Sequence, residues 1–163
     1  MIADAADRRR TAPTGADEPE PLAGTSARSA SAAEFEDAPD VLALVRDDPN
    51  VIRLEGGQIL FAEGDPSKCM YVVKSGSLRI RSGSVIYEDV GAGGIVGEMG
   101  LVEQHQPRSA MVYALTDAEL IEIDDTRFFA LVAETPRFAL TVMRVLSRRL
   151  RAMDRRYRHE PWA

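Results

Sequence analysis

A chain of 163 residues has the length of one ordinary domain, and 45% hydrophobic with 28% charged residues gives it enough apolar material for a core, which argues against a wholly disordered protein. One cysteine, Cys69, cannot form an internal disulfide or a cysteine-ligated zinc cluster, and two distant histidines, His105 and His159, make a histidine-rich metal centre an unpromising reading. The net charge of −6 is uneven: residues 35–143 hold 18 acids and 9 bases, whereas residues 144–163 hold 7 arginines and 2 acids, so an acidic body that repels nucleic acid ends in a basic stretch.

Residues 1–34 are rich in Ala, Ser, Thr, Pro, Gly and charge, without an apolar period. They cannot bury enough surface to offset the entropy of ordering and are expected to be a disordered N-terminal arm. Arg8-Arg9-Arg10 has no apolar run behind it, so it is not read as a secretory signal. No stretch approaches the roughly 20 apolar residues that span a bilayer. With the lone thiol, this leads to the expectation of a soluble, cytoplasmic protein. Asp37–Asp47 reads as a short helix with Val41, Leu42, Leu44 and Val45 on its apolar face, closed by Asp48-Pro49. From Val51 to Ile123 the period changes to two. Ile59–Phe61, Met70–Val73, Leu78–Ile80, Val85–Tyr87, Ala110–Tyr113 and Ala118–Ile123 are strand-like runs, separated by turn signals such as Gly56-Gly57, Gly64-Asp65-Pro66 and Ser82-Gly83. Short strands at this spacing predict a sandwich or barrel.

Asp125 or Thr126 is expected to cap a helix carrying Phe128, Phe129, Leu131 and Val132, which ends near Thr135-Pro136. A longer helix follows from about Arg137 to Arg158. Ala139, Met143, Leu146, Leu150, Met153 and Tyr157 form an a/d seam along it, which serves either to pack on the β-domain or to pair with a second copy of the same helix.

The segment Gly97-Glu98-Met99-Gly100-Leu101-Val102-Glu103-Gln104-His105-Gln106-Pro107-Arg108-Ser109-Ala110 carries the chemistry. Arg108 has a permanently charged, forked donor set suited to phosphate, and backbone N–H groups near Gly97 and Gly100 could also face an anion. Glu98 suits sugar hydroxyls. A carboxylate for ribose and an arginine for phosphate describe a nucleotide site. An internal Glu98–Arg108 ion pair around a structural loop explains the same spacing, and both readings stand at this point. Gly91-Ala-Gly-Gly-Ile-Val-Gly97 mimics a dinucleotide fingerprint but has Val96 for its third glycine and lies among strands.

The cassette resembles the phosphate-binding cassette of the cyclic-nucleotide-binding domain family, which includes the ligand-binding domains of the catabolite activator protein and of the regulatory subunit of cAMP-dependent protein kinase. Gly97, Glu98, Met99, Gly100, Leu101, Arg108, Ser109 and Ala110 match the family pattern, as do Gly57-Gln-Ile-Leu-Phe61, Gly64-Asp65, Val72–Gly76 and Gly94. The likeness spans about residues 38–156. It implies a mainly β fold: an antiparallel β-roll of about eight strands with a short N-terminal helix and two C-terminal helices. It implies a binding domain over residues 35–158, followed by a tail, 159–163. It implies that Glu98 accepts from the ribose 2′-hydroxyl with Gly97, Met99 and Gly100 beside it, and that Arg108, Ser109 and Ala110 receive the cyclic phosphate. The base would be capped by the last helix. Where family members place two hydroxyl residues against adenine, this chain has Met153, which could pack on the base, and Asp154, which accepts hydrogen bonds only. Asp154 could take them from adenine's amino group or from guanine's edge, or could instead pair with Arg151 or Arg158 on the helix surface.

The resulting expectation is a stand-alone regulatory protein, not an enzyme, with no cofactor and no metal. It binds cAMP and signals through movement of its C-terminal helix to an unidentified protein partner, or to a second copy in a homodimer. A cGMP sensor, or a β-roll interaction module that no longer binds nucleotide, is the alternative. No DNA-binding domain is expected after the last helix, and its arginines are read as a solvated face or one that meets acidic surface. His105 is read as an exposed loop residue and Cys69 as a core thiol; Trp162 has no assigned partner.

Overall fold

The computed structural model describes residues 40–104 and 106–159, the last three of these by backbone only. The expected N-terminal arm, His105 and most of the expected tail lie outside the described residues. In chain order the elements are α1 (Val41–Val45), β1 (Val51–Leu54), β2 (Ile59–Phe61), β3 (Cys69–Ser75), β4 (Leu78–Ser82), β5 (Val85–Val90), β6 (Ile95–Val96), α2 (Glu98–Val102), β7 (Met111–Ala114), β8 (Ala118–Asp124), α3 (Asp125–Glu134) and α4 (Arg137–His159).

The strands form two four-stranded antiparallel sheets, ordered β1-β8-β3-β6 and β2-β7-β4-β5. The architecture is the expected one, mainly β with flanking helices. Alternation along β3 and β8 builds two cores. Cys69, Tyr71 and Val73 with Ala118 and Leu120 face the second sheet and meet Leu60, Phe61, Leu78 and Val112. Met70 and Val72 with Ile121 and Ile123 face the helices and meet Val41, Val45, Leu131, Phe138, Val142 and Val145. Both faces of the sheet that contains β3 are therefore covered, and residues 69–73 are buried without a break.

The turns follow local chemistry. Ser82 pairs with Val85 across a two-residue loop whose first position, Gly83, has φ 55°. Three elements depart from expectation. Strand β1, Val51–Leu54, was not among the expected runs and forms by pairing with Ala118–Ile121 of β8. Residues 91–97 hold a short strand, β6, paired to Tyr71 and Val72, where the sequence showed only glycine punctuation. Helix α3 is capped by Asp124 rather than by Asp125 or Thr126: strand β8 runs on to Asp124, whose carboxylate accepts from the Arg127 N–H at 2.8 Å. Asp124→Ala is expected to lower stability by about 1 kcal/mol, read as a shift in the urea midpoint with an unchanged slope.

Helix α4 begins at Arg137, as expected, but it packs through a different stripe. Phe138, Val142 and Val145 face the core, with Phe138 edge-on to Phe128 at 5.5 Å between centroids. The a/d seam lies one residue further round: Leu146 is partly buried, whereas Met143, Leu150 and Met153 are exposed. In this chain the seam is not the docking face. Among the described residues no helix is long and apolar enough to cross a membrane.

Candidate functional site

The cassette lies between β6 and β7. Gly97 takes the left-handed conformation, φ 78° and ψ 8°, and turns the chain from β6 into α2. Crowding also demands glycine here, since a Cβ at Gly97 would lie 2.6 Å from Arg108 Nη1. A Cβ at Gly100 would lie 1.5 Å from Ser67 Oγ, so the turn carrying Ser67 presses directly on α2. The Gly64-Asp65 turn holds the far end. The Arg108 N–H donates to Asp65 O at 2.9 Å, and Arg108 O accepts from the Gly64 N–H at 2.8 Å. The Asp65 carboxylate in turn accepts from the Ala62 N–H at 2.9 Å. A motif in one loop thus fixes the backbone of an arginine more than forty residues away.

That backbone aims the Arg108 side chain inward, and the residue is buried. Nη1 donates to Gly97 O at 2.9 Å and Nη2 to Cys69 O at 2.7 Å, with Cys69 Sγ 3.7 Å from Nη2. The guanidinium lies 4.1 Å above the Phe61 ring, which stacks on Tyr71. Its Nε has no hydrogen-bond partner in the protein. Cys69 is buried, as expected, and its thiol meets Tyr71 Oη at 3.1 Å.

Glu98, only 1% exposed, does not pair with Arg108. Its Oε1 accepts a close hydrogen bond from Nη1 of Arg149, on α4, and its Oε2 has no partner. Arg149 is held on all three nitrogens: Nε donates to Glu88 Oε2 at 2.7 Å and Nη2 to Ile95 O at 2.9 Å. Arg148 Nη2 lies 3.4 Å from the other oxygen of Glu88. Burial of Arg149 works against its charge. Coulombic attraction to Glu98 and Glu88, with hydrogen bonds to both, outweighs this and raises its pKa above the usual arginine value. Arg149 therefore stays cationic throughout the pH range of ordinary work.

The structure brings Gly97, Glu98, Met99, Gly100, Arg108 and Ser109 into one cluster. Ser109 is exposed, and its hydroxyl lies 3.6 Å from Met99 Sδ at the rim. Ala110 turns away into the core between the sheets. Met153 and Asp154 are exposed on α4, and neither has a hydrogen bond or ion pair to the cassette among the described residues. Arg149 is the helix residue that reaches the cassette, and the sequence reading passed over it. A signal was present: Phe138, Val142, Val145 and Arg149 are spaced 4, 3 and 4, so Arg149 continues the buried stripe. An open groove of 1160 Å³ runs along β1 between Pro49 and Glu122 and contains no cassette residue.

The model of the cyclic nucleotide-binding domain matches residues 51–135. The lysophospholipase NTE1 of Chaetomium globosum is 29% identical over 107 residues, which are 63% of this chain and 7% of that protein. The cyclic AMP receptor protein of Thermus thermophilus is 31% identical over 103 residues, 60% of this chain and 47% of that protein. The chain thus spans a small part to about half of these relatives. A solved structure from a cyclic-GMP-dependent signalling pathway that regulates bacterial phytopathogenesis superimposes with a TM-score of 0.56 at 28% identity, over 62% of this chain and 84% of that one. With the domain model covering more than half of the residues, and with its cassette folded around Glu98 and Arg108, the chain belongs to the cyclic nucleotide-binding domain family.

Proposed function

We propose that the protein is a regulatory sensor of cAMP, without catalytic activity of its own, that transmits ligand binding through α4. The observation that carries this reading is a pair of buried polar atoms without partners in the protein, the acceptor Glu98 Oε2 and the donor Arg108 Nε. Buried polar groups are almost always satisfied, and each orphan costs about 1–3 kcal/mol. A ribose 2′-hydroxyl donates to the first and a cyclic phosphate oxygen accepts from the second, so one ligand settles both. Ser109, at the rim, is placed to add its hydroxyl. Because Glu98 already holds Arg149, occupancy of its second oxygen is felt by α4, and a difference in affinity between two α4 positions makes the site a switch.

The relative named for cyclic AMP supports cAMP, and the structure from a cyclic-GMP-dependent pathway supports cGMP as the second reading. The exposed Asp154 carboxylate, a little over one turn beyond Arg149, is the group that would take guanine's donors once α4 moves. The exposed seam residues Met143, Leu150 and Met153 offer α4 a second surface, for another copy of the chain or a separate protein. Isothermal titration of nucleotide-free protein with cAMP and then cGMP tests the reading. Micromolar or tighter binding to one is expected, accompanied by a change in sedimentation behaviour if α4 pairs. Absence of binding to both would leave a β-roll interaction module.

A further inference from the structure

We infer that Glu88, outside the cassette on β5, is a positioning residue for ribose recognition: it competes with Glu98 for Arg149 and so leaves one buried Glu98 oxygen without a partner in the protein. The inference rests on the reading of Glu98 as the ribose acceptor. An arginine fork facing a buried carboxylate ordinarily closes on both oxygens. Here it does not. Arg149 meets Glu98 through Nη1 alone, while Nε is held by Glu88 at 2.7 Å and Nη2 by Ile95 O at 2.9 Å. Glu98 Oε2 is left without a partner although a guanidinium sits against the same carboxylate.

Glu88 is itself anchored from two sides. Its backbone is paired with Ile80 in the β4–β5 ladder, and its second oxygen meets Arg148. One residue earlier, Tyr87 O accepts from Arg156 at 3.2 Å. The β4–β5 hairpin and α4 are therefore clamped together, and the clamp sets the angle at which Arg149 approaches Glu98. Neutralising Glu88 removes the stronger competitor. The guanidinium then rotates onto Glu98, covers Oε2 and blocks the ribose hydroxyl.

The test compares cAMP with 2′-deoxy-cAMP on the full chain. A hydrogen bond to a buried carboxylate separates these ligands by about tenfold or more in wild type. In Glu88→Gln the ratio of the two dissociation constants is expected to fall at least about threefold, with the 2′-deoxy ligand little affected. Glu88→Asp, which keeps the charge, should recover part of the ratio. A merely structural role for Glu88 would weaken both ligands alike and leave the ratio intact, which overturns the inference while the ribose reading stands. A wild-type ratio near one, or no binding at all, removes the ribose reading and the role of Glu88 with it.

Discussion

Replacing Arg108 with alanine is expected to weaken cyclic-nucleotide binding by about a hundredfold or more, since a phosphate loses charge-assisted hydrogen bonds of about 1.5–3 kcal/mol each. The same change costs stability. Arg108 donates to Gly97 O and Cys69 O and lies on Phe61, so alanine leaves two inward-facing carbonyls without a donor and a gap beside the ring. A fall of several degrees in melting temperature is expected beside the lost affinity. Arg108→Lys separates the two effects. It keeps a cation over Phe61 but not the planar fork, so affinity should still drop at least tenfold with a smaller thermal shift. Wild-type affinity in folded Arg108→Ala would show that the phosphate is bound elsewhere.

The fold was legible where one physical constraint acts on several neighbouring residues. The unbroken apolar run Met70–Val73 and the apolar residues on both faces of Ala118–Ile123 report strands covered on two sides, and the glycine-bearing turns report where the chain reverses. Strand β6 was not legible because two residues show no period, and because Ile95 and Val96 become a strand only when Tyr71 and Val72 are already in place to pair with them. The α3 cap shifted for a related reason. Asp124, Asp125 and Thr126 are all competent caps by residue type, and the length of β8 decides among them.

The cassette was legible through its resemblance to a family pattern, which is local and runs from Gly97-Glu98 to Arg108-Ser109-Ala110; spacing alone left an internal Glu98–Arg108 ion pair equally open, and the structure adds that Gly97 and Gly100 must yield to Arg108 and Ser67. The contribution of α4 was not. Seven arginines follow residue 143, and composition cannot say which of them is buried. The resemblance, through the two hydroxyl residues that family members set against adenine, pointed to Met153 and Asp154, whereas the buried stripe of the helix ends at Arg149, more than fifty residues from its carboxylate partner. The Glu98–Arg149 contact also ties the cassette to α4. An arginine that reached Glu98 from within the cassette would close the loop on itself; one that reaches it from α4 makes the pairing of Glu98 part of how the helix is held, which is the connection the proposed sensor needs.

Arg149→Met, which keeps the bulk of the side chain and removes its charge, is accordingly expected to be the most destabilising single change at the site. It strands the Glu98 carboxylate in the interior and deprives Ile95 O of its donor, and breaking one side of a buried pair costs about 3–5 kcal/mol. For a domain of this size that is a fall of about 10 °C or more in melting temperature. Adding Glu98→Gln to this variant should recover part of the loss, because the amide needs no counter-charge; the two changes should then be strongly non-additive. Nucleotide binding should not recover with stability, because the double variant has lost the anionic acceptor. Amide exchange provides the second readout: the half of α4 beyond residue 145 should exchange faster in Arg149→Met, while the Phe138–Val145 half, held by its apolar face, should not. An Arg149→Met protein as stable as wild type, with unchanged exchange in α4, would mean that the helix is held by its apolar face alone and that the proposed sugar site at Glu98 has no mechanical connection to it.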